Sequence, residues 1–435
     1  MQRDKKESFK RLITHFWERK IEFVPRELAL PLDINLIVTI VGPRRAGKTY
    51  RLFQLASELW QKVAKEHVVY ISFEDERLMP LQIEDGERLL EAYYEIFPEG
   101  VKALPYFLLD EIQELPGWSK FLRRIHEEKR AIIYVTGSSS KLLSREVATE
   151  LRGRTLSFPL YPFSFREYLC WHGFKIADLN HLLYSEKKFT IKKLFNDYLI
   201  YGGFPEIFNK DPVFKIQILQ DYFNLIFYKD LVERFNIINT FLMKDLMRYL
   251  THNFSRLFSV RKYHAFMSSK GVRTGKNTIF EYLDHLEEIN FVRLIPLFSF
   301  SLKRQLVNPR KVYIIDTGLI TATAFPWEEN KGYYLENIVF IELVRRGWEV
   351  FYYKTKEGLE VDFLLWRNGK VCGLIQVAQS LASKDTLERE KKALFSAMPE
   401  LGINKAIIIT EDEKLVLKED RFYIDVQPIW LWLIT

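Results

Sequence analysis

The apolar positions change period along the chain, and those changes divide it. Phe9, Leu12, Ile13 and Phe16 recur at helical spacing with Lys5, Lys6, Lys10 and Arg11 between them. Residues 1–35 therefore open with a basic amphipathic helix and run on through the proline-punctuated connector VPRELALPLD. This segment is an adaptor that packs on the core or, alternatively, touches nucleotide, a neighbouring subunit or DNA. From Leu36 onward short apolar runs alternate with helical patterns: Leu36 to Val41, Val68 to Phe73, Tyr106 to Leu109, Ala131 to Val135 and Thr155 to Phe158, with helices predicted over Tyr50 to Trp60 and 141–149. That alternation predicts an α/β fold with a parallel sheet covered on both faces, over residues 36–160.

The rest of the chain reads differently. Residues 161–240 keep helical spacing and are rich in aromatics, among them Tyr222, Phe223, Phe227, Tyr228 and Phe235, which predicts a helical lid. Over 241–318 the pattern gives helices at Leu242 to Leu250, Val260 to Met267 and Asn277 to Ile289. A two-stranded ribbon follows, Phe291 to Ile295 with Val312 to Ile315. Three helices and a ribbon make a winged helix. The basic connector from Ser269 to Lys276 and the polar start Asn277-Thr278 suit a recognition helix for duplex DNA. Glu281, Asp284, Glu287 and Glu288 on the same helix oppose phosphate, and protein binding is the competing role. A last domain, 330–435, holds a helix from Tyr333 to Arg346, strands at Trp348 to Tyr353, Glu360 to Trp366 and Val371 to Val377, a helix near 383–397 and a strand from Ala406 to Thr410.

Composition narrows the setting. A chain of 435 residues exceeds one core and predicts three or four domains. Its two cysteines, Cys170 and Cys372, lie far apart, which suits a reducing compartment, and no apolar run reaches the roughly 20 residues of a membrane span. A soluble, cytoplasmic protein with no membrane partner is the expectation. The formal charge of +7 is compatible with nucleic acid or with an ordinary solvated surface.

Candidate chemistry begins at Gly42-Pro43-Arg44-Arg45-Ala46-Gly47-Lys48-Thr49, placed between the first strand and a helix that starts with Tyr50. This is a P-loop: two glycines let the backbone curl so that N–H groups and the helix N-terminus surround phosphates, Lys48 reaches the β- and γ-phosphates, and Thr49 offers a hydroxyl to Mg²⁺. ATP or ADP with Mg²⁺ is thus expected. Tyr106-Phe107-Leu108-Leu109 followed by Asp110-Glu111 has the Walker B form, with Asp110 for the metal shell and Glu111 to orient and deprotonate water. The strand between the two motifs marks the P-loop branch that carries such a glutamate. Thr136 and Ser138, in VTGSSS after the fourth strand, are candidates to sense the γ-phosphate or position water; a serine-capped turn is the other reading. Arg152 and Arg154 either present a finger to the nucleotide of an adjacent subunit, which requires a homo-oligomer, or form a structural salt bridge.

GPRRAGKT, FLLDEIQ, VTGSSSKLL, LRGR, PLYPFSFREYL and YGGFPE together resemble the AAA+-like ATPase family of archaea and bacteria whose core is joined to a restriction-endonuclease-like C-terminal domain. The resemblance runs over nearly the whole chain and implies an ATPase core, a lid, a winged helix and a small second α/β domain. Within the lid it singles out the segment Lys229 to Arg234, with Arg234 as a second sensor or as the i,i+4 partner of Asp230. It further implies an αβββαβ nuclease core in which an aspartate and a Glu-x-Lys hold a divalent metal. Glu336 and Asp362 stand in the expected places, but the third element reads Gln376-Val377-Ala378, so a metal ligand and a cation are missing and nuclease activity is not expected. Such a domain would instead bind DNA or serve assembly.

Overall fold

A computed structural model describes residues 5–101, 104–137, 151, 153–175, 186–323 and 330–435. These fall into two compact units, Met1–Pro162 and Phe163–Thr435.

The first unit runs α1 (Lys5–Glu18), β1 (Ile37–Val41), α2 (Lys48–Leu59), β2 (Val68–Ser72), α3 (Asp85–Ile96), β3 (Tyr106–Asp110), α4 (Trp118–Glu127), β4 (Ile132–Thr136) and β5 (Thr155–Pro159). The strands form one parallel sheet in the order β2-β3-β4-β1-β5, so the expected α/β fold is present and the P-loop strand lies beside β4. All five residues of β1 (Ile-Val-Thr-Ile-Val) are buried, as a central strand covered on both faces requires. Its one polar member, Thr39, satisfies its hydroxyl on Ser157 at 2.8 Å. The amphipathic helix α1 packs on the core: Phe9, Ile13 and Phe16 are buried, and α1 lies against α3 and β2. Its basic face is matched by acids, with Lys6 and Lys10 on Glu95 and Lys5 on the buried Asp85. The connector is tied down along α2, where Gln54 bonds both the N–H and the C=O of Arg26 and the buried Arg51 donates to the Leu28 carbonyl at 2.8 Å.

The second unit opens with α5 (Phe165–Trp171), α6 (Lys187–Tyr201) and α7 (Pro212–Leu225), the last continuing as a π-helical segment, Ile226–Glu233. Next come α8 (Thr240–His252), β6 (Leu257–Phe258), α9 (Val260–Ser269), α10 (Lys276–Glu288), β7 (Val292–Ile295), α11 (Leu302–Val307), β8 (Arg310–Ile314) and α12 (Thr317–Thr323). Two of the helices of the expected lid, α6 and α7, pack against α12 inside this unit. The ribbon expected from two strands is a three-stranded antiparallel sheet in the order β6-β8-β7; two residues are too short a run for β6 to show in the hydrophobic pattern. The chain closes with α13 (Lys331–Arg345), β9 (Glu349–Lys354), β10 (Glu360–Arg367), β11 (Lys370–Val377), α14 (Lys384–Leu401), β12 (Lys405–Thr410), β13 (Leu415–Glu419), β14 (Phe422–Pro428) and α15 (Ile429–Trp432). Their six-stranded sheet runs β13-β14-β12-β11-β10-β9, adding β13 and β14 to the strands expected. Among the described residues no helix is long and apolar enough to cross a membrane.

The Gly202-Gly203 turn after α6 is locked by a residue more than a hundred positions away. Asp316, buried before α12, accepts from the Gly203 N–H at 2.8 Å and the Gly318 N–H at 2.9 Å. Burial pushes its carboxyl up to about 7, against the partial pull of those backbone donors. A folded-state value above the unfolded 3.8 means that this residue's favourable contribution is complete below pH 4 and is lost as pH rises through about 7, at most on the order of 4 kcal/mol. Asp316→Asn cannot ionise. The fall in thermal stability between pH 5 and 8, followed by circular dichroism, should therefore be shallower than in the wild type, whatever the variant's absolute stability.

Candidate active site

At the carboxyl end of β1 the chain turns through backbone conformations that few residue types allow. A Cβ at Gly42 would stand 2.1 Å from the Leu160 carbonyl oxygen, and Gly47, at φ 91°, initiates α2 from the left-handed region, as does Arg45 at φ 64° within the loop. The first-turn N–H groups of α2 have no acceptor within the helix, so the turn presents donors and a positive dipole end to the space above it. Lys48 is buried and its ammonium donates to the Gly42 and Pro43 carbonyls, 3.1 Å each. Arg26, reaching in from the connector, donates to the Ala46 carbonyl at 2.6 Å and to Tyr161 at 2.7 Å, bracing the loop from behind.

Asp110, at the end of β3, gathers the rest. Its carboxylate accepts hydroxyls from Thr49 at 2.7 Å, from Tyr70 at 3.0 Å and from Thr136. Thr136 in turn accepts from the backbone N–H of Glu111 at 3.2 Å. Walker A, Walker B and the end of β4 are thus one hydrogen-bonded chain. Burial raises the Asp110 carboxyl above its ordinary range although Thr136 and Thr49 oppose it. Burial also raises Tyr70, with Asp110's charge acting in the same direction, which keeps its phenol a donor. A buried carboxylate held by three hydroxyls, with no lysine or arginine paired to it among the described residues, is suited to ligate a cation. The donor set, one carboxylate and one threonine hydroxyl beside a phosphate-type loop, fits Mg²⁺, which retains waters and takes few protein ligands.

Glu111 stands at φ 50°, in the left-handed region that a non-glycine residue enters at a cost of about 1 kcal/mol or more. Its carboxylate accepts from Gln113 at 2.5 Å. Glu74, beyond the end of β2, has its carboxyl raised by partial burial and by the charge of Glu111, with Arg44 pulling the other way.

The structure therefore brings together Gly42, Gly47, Lys48, Thr49, Asp110, Glu111 and Thr136. Tyr50 begins the exposed face of α2 and lies edge-on to Phe53. Arg154 pairs with Glu127 at 2.8 Å, the structural salt bridge that was one of its two readings. Ser138, Arg152 and the helix expected at 141–149 lie outside the described residues. Arg234 pairs with Glu288 at 2.5 Å. Sequence reasoning missed Arg26 and Tyr70. Tyr70 sits in an apolar strand where an aromatic reads as core, and Arg26 in a connector that carries no motif.

In the second unit Glu336 on α13 and Asp362 on β10 also meet, facing an open cleft of about 770 Å³ that Gln376, Arg389 and Glu390 help to line. Asp362 accepts from the Val377 N–H at 3.0 Å, and its own N–H donates to the Gln376 amide oxygen at 3.1 Å. Between the two acids lies the ammonium of Lys311 from β8, 3.1 Å from Glu336 and 2.8 Å from Asp362, with Glu360 at 2.9 Å. Burial works to lower the Lys311 value, yet Asp362 and Glu336 outweigh it, so this lysine stays charged. Among the described residues no group of three or more carboxylates, imidazoles or thiols is disposed to hold a metal ion. The residues here do not fit the divalent metal that a nuclease core implies.

A five-stranded parallel sheet with this loop and these acids defines the P-loop NTPase fold, and residues 35–169 match the family model described as an AAA domain. Models described as domains of unknown function, DUF8612 and DUF4143, match residues 192–329 and 331–432. The chain belongs to the same family as the uncharacterized protein MJ1544 of Methanocaldococcus jannaschii, to which it is 35% identical over 99% of its own length and 96% of the relative's. An uncharacterized protein of Haemophilus influenzae is 32% identical over 80% of this chain and 83% of its own. Among solved structures, the Walker-type ATPase PABY2304 of Pyrococcus abyssi aligns with TM-score 0.40 and 15% identity, covering 66% of this chain and 90% of that one. The Aeropyrum pernix ORC1 protein in complex with DNA aligns with TM-score 0.28 and 13% identity, covering 72% and 88%.

Proposed function

We propose that the chain hydrolyses ATP to ADP and phosphate in its first unit and engages duplex DNA through its second. The hydrogen-bonded chain Thr49–Asp110–Thr136–Glu111 is the observation that carries the first part, because it links the nucleotide loop to the acid that handles water. Lys48 can trade its loop carbonyls for phosphate oxygens, which bind an ammonium more strongly. Thr49 and Asp110 would hold Mg²⁺, which neutralises charge on the β- and γ-phosphates. Glu111 accepts the proton of the attacking water, and Thr136 fixes both Asp110 and the backbone of Glu111.

The DNA reading rests on charge. Between Asp245 and Glu281 the chain has no acidic residue, and its seven cations, Arg248, Arg256, Arg261, Lys262, Lys270, Arg273 and Lys276, are all exposed, on α8, the turn before β6, α9, the connector and the start of α10. The helix order and three-stranded sheet of this region support a winged helix that offers the connector and α10 to a groove. Phosphate release and duplex binding by the full chain test both parts. Magnesium-dependent release is expected, together with DNA affinity that falls at least tenfold between 50 and 200 mM salt and drops further in Arg273→Glu/Lys276→Glu. No release overturns the first part. No DNA binding at 50 mM salt overturns the second and leaves a protein partner for the region.

A further inference from the structure

We infer that Lys311 is a built-in cation standing where a divalent metal would serve the C-terminal carboxylates, so that the Glu336–Asp362 pair is closed by a lysine from the neighbouring sheet. The sequence of this module lacks the lysine of a Glu-x-Lys element, and Gln376 fills the glutamate position with a neutral amide that caps the Asp362 backbone. The charge missing from that element arrives instead from 51 residues before Asp362.

Three observations support the assignment. The ammonium is a three-donor centre, and three carboxylates surround it at 2.8 to 3.1 Å. Tyr313, two residues along β8 and so on the same face, donates to Glu336 at 2.6 Å, which fixes that carboxylate toward the lysine. Asn337, next to Glu336 on α13, pairs its amide with both the N–H and the C=O of Ile314, 2.9 Å each, and so docks β8 against α13 at the register that delivers Lys311. Hard divalent cations hold oxygens at about 2.0–2.6 Å, so the same acids need close in by only about an ångström or less once the lysine is removed.

The test is metal rescue in the full chain, read as thermal unfolding of the second unit with and without 1 mM MnCl₂. Lys311→Met is expected to unfold several degrees below wild type. Mn²⁺ should recover at least half of that loss, do nothing for wild type, and do nothing for Lys311→Met/Asp362→Asn. Lys311→Met leaves the acids without a counter-charge, so Lys311→Met/Glu360→Gln, which keeps the cluster's net charge at the wild-type value, is the second variant; it should bind Mn²⁺ at least tenfold more tightly than wild type by calorimetry. Stabilisation of wild type by Mn²⁺ to the same degree as the variants overturns the inference, because lysine and metal would then occupy different places. Failure of Mn²⁺ to rescue or bind either variant overturns it as well.

Discussion

Replacing Glu111 with glutamine is expected to lower phosphate release by about a hundredfold or more while leaving ATP affinity within about threefold of wild type. The two side chains are nearly the same size, and glutamine can still bond Gln113, so the left-handed backbone at this position and the Thr136 contact to its N–H persist. What is lost is the ability to take a proton, an effect that general-base substitutions place at about 10² to 10⁴ in rate. Affinity should hold because, on the proposed reading, phosphate is gripped by the loop amides and by Lys48, whose ammonium is seated on the Gly42 and Pro43 carbonyls. Single-turnover phosphate release with calorimetry of ATP binding separates the two. Unchanged turnover would remove Glu111 from the water-handling role, and Glu74, whose carboxyl is raised beside it, would be the acid to examine next.

Gly203→Ala should produce a large loss of stability in the second unit, roughly 3 kcal/mol or more and a fall of roughly 6 °C or more in its unfolding temperature. The added methyl would stand 2.3 Å from the Phe163 carbonyl oxygen and 3.0 Å from its nitrogen, both backbone atoms that cannot swing aside. Moving them breaks the Phe163 N–H bond to the Gly203 carbonyl and the Gly203 N–H bond to the buried Asp316. Gly332→Ala is the control, since nothing lies within 4 Å of its added methyl and it should shift the transition by less than about 1 kcal/mol. Thermal melts of the two variants, compared directly, settle the matter.

What the sequence made legible follows from how far apart the cooperating residues lie. The P-loop and the acids after β3 were readable because each motif is contiguous and its chemistry is a property of one turn or one strand end. The parallel sheet was readable because β1 and β3 are nearly continuous apolar runs. Thr136 was readable as a strand-end hydroxyl, but the bond that gives it meaning, to Asp110, joins two strands 26 residues apart. Lys311 was not readable. In sequence it is one more basic residue at the start of a ribbon strand, and only the packing of β8 on α13 turns it toward acids 25 and 51 residues away. Asp316 was hidden for the same reason, since an acid before a helix reads as a cap while its partners lie at a glycine turn 113 residues earlier. The strand β13 was hidden because Leu415-Val416-Leu417 is a short, mostly exposed run without alternation, whereas β14 does alternate, with Ile424 and Val426 buried between Tyr423, Asp425 and Gln427, so its period was legible.

The docking of β8 by Asn337 has a practical corollary for anyone dissecting this chain. The matched family segments abut near residue 330, which invites a cut there, yet β8 keeps its amide partners, its ion cluster and its aromatic neighbour Phe340 on the far side of that point. Fragments ending or beginning at 330 would each bare an orphaned half of this seam, so the smallest piece that should behave as a well-mannered recombinant product retains both.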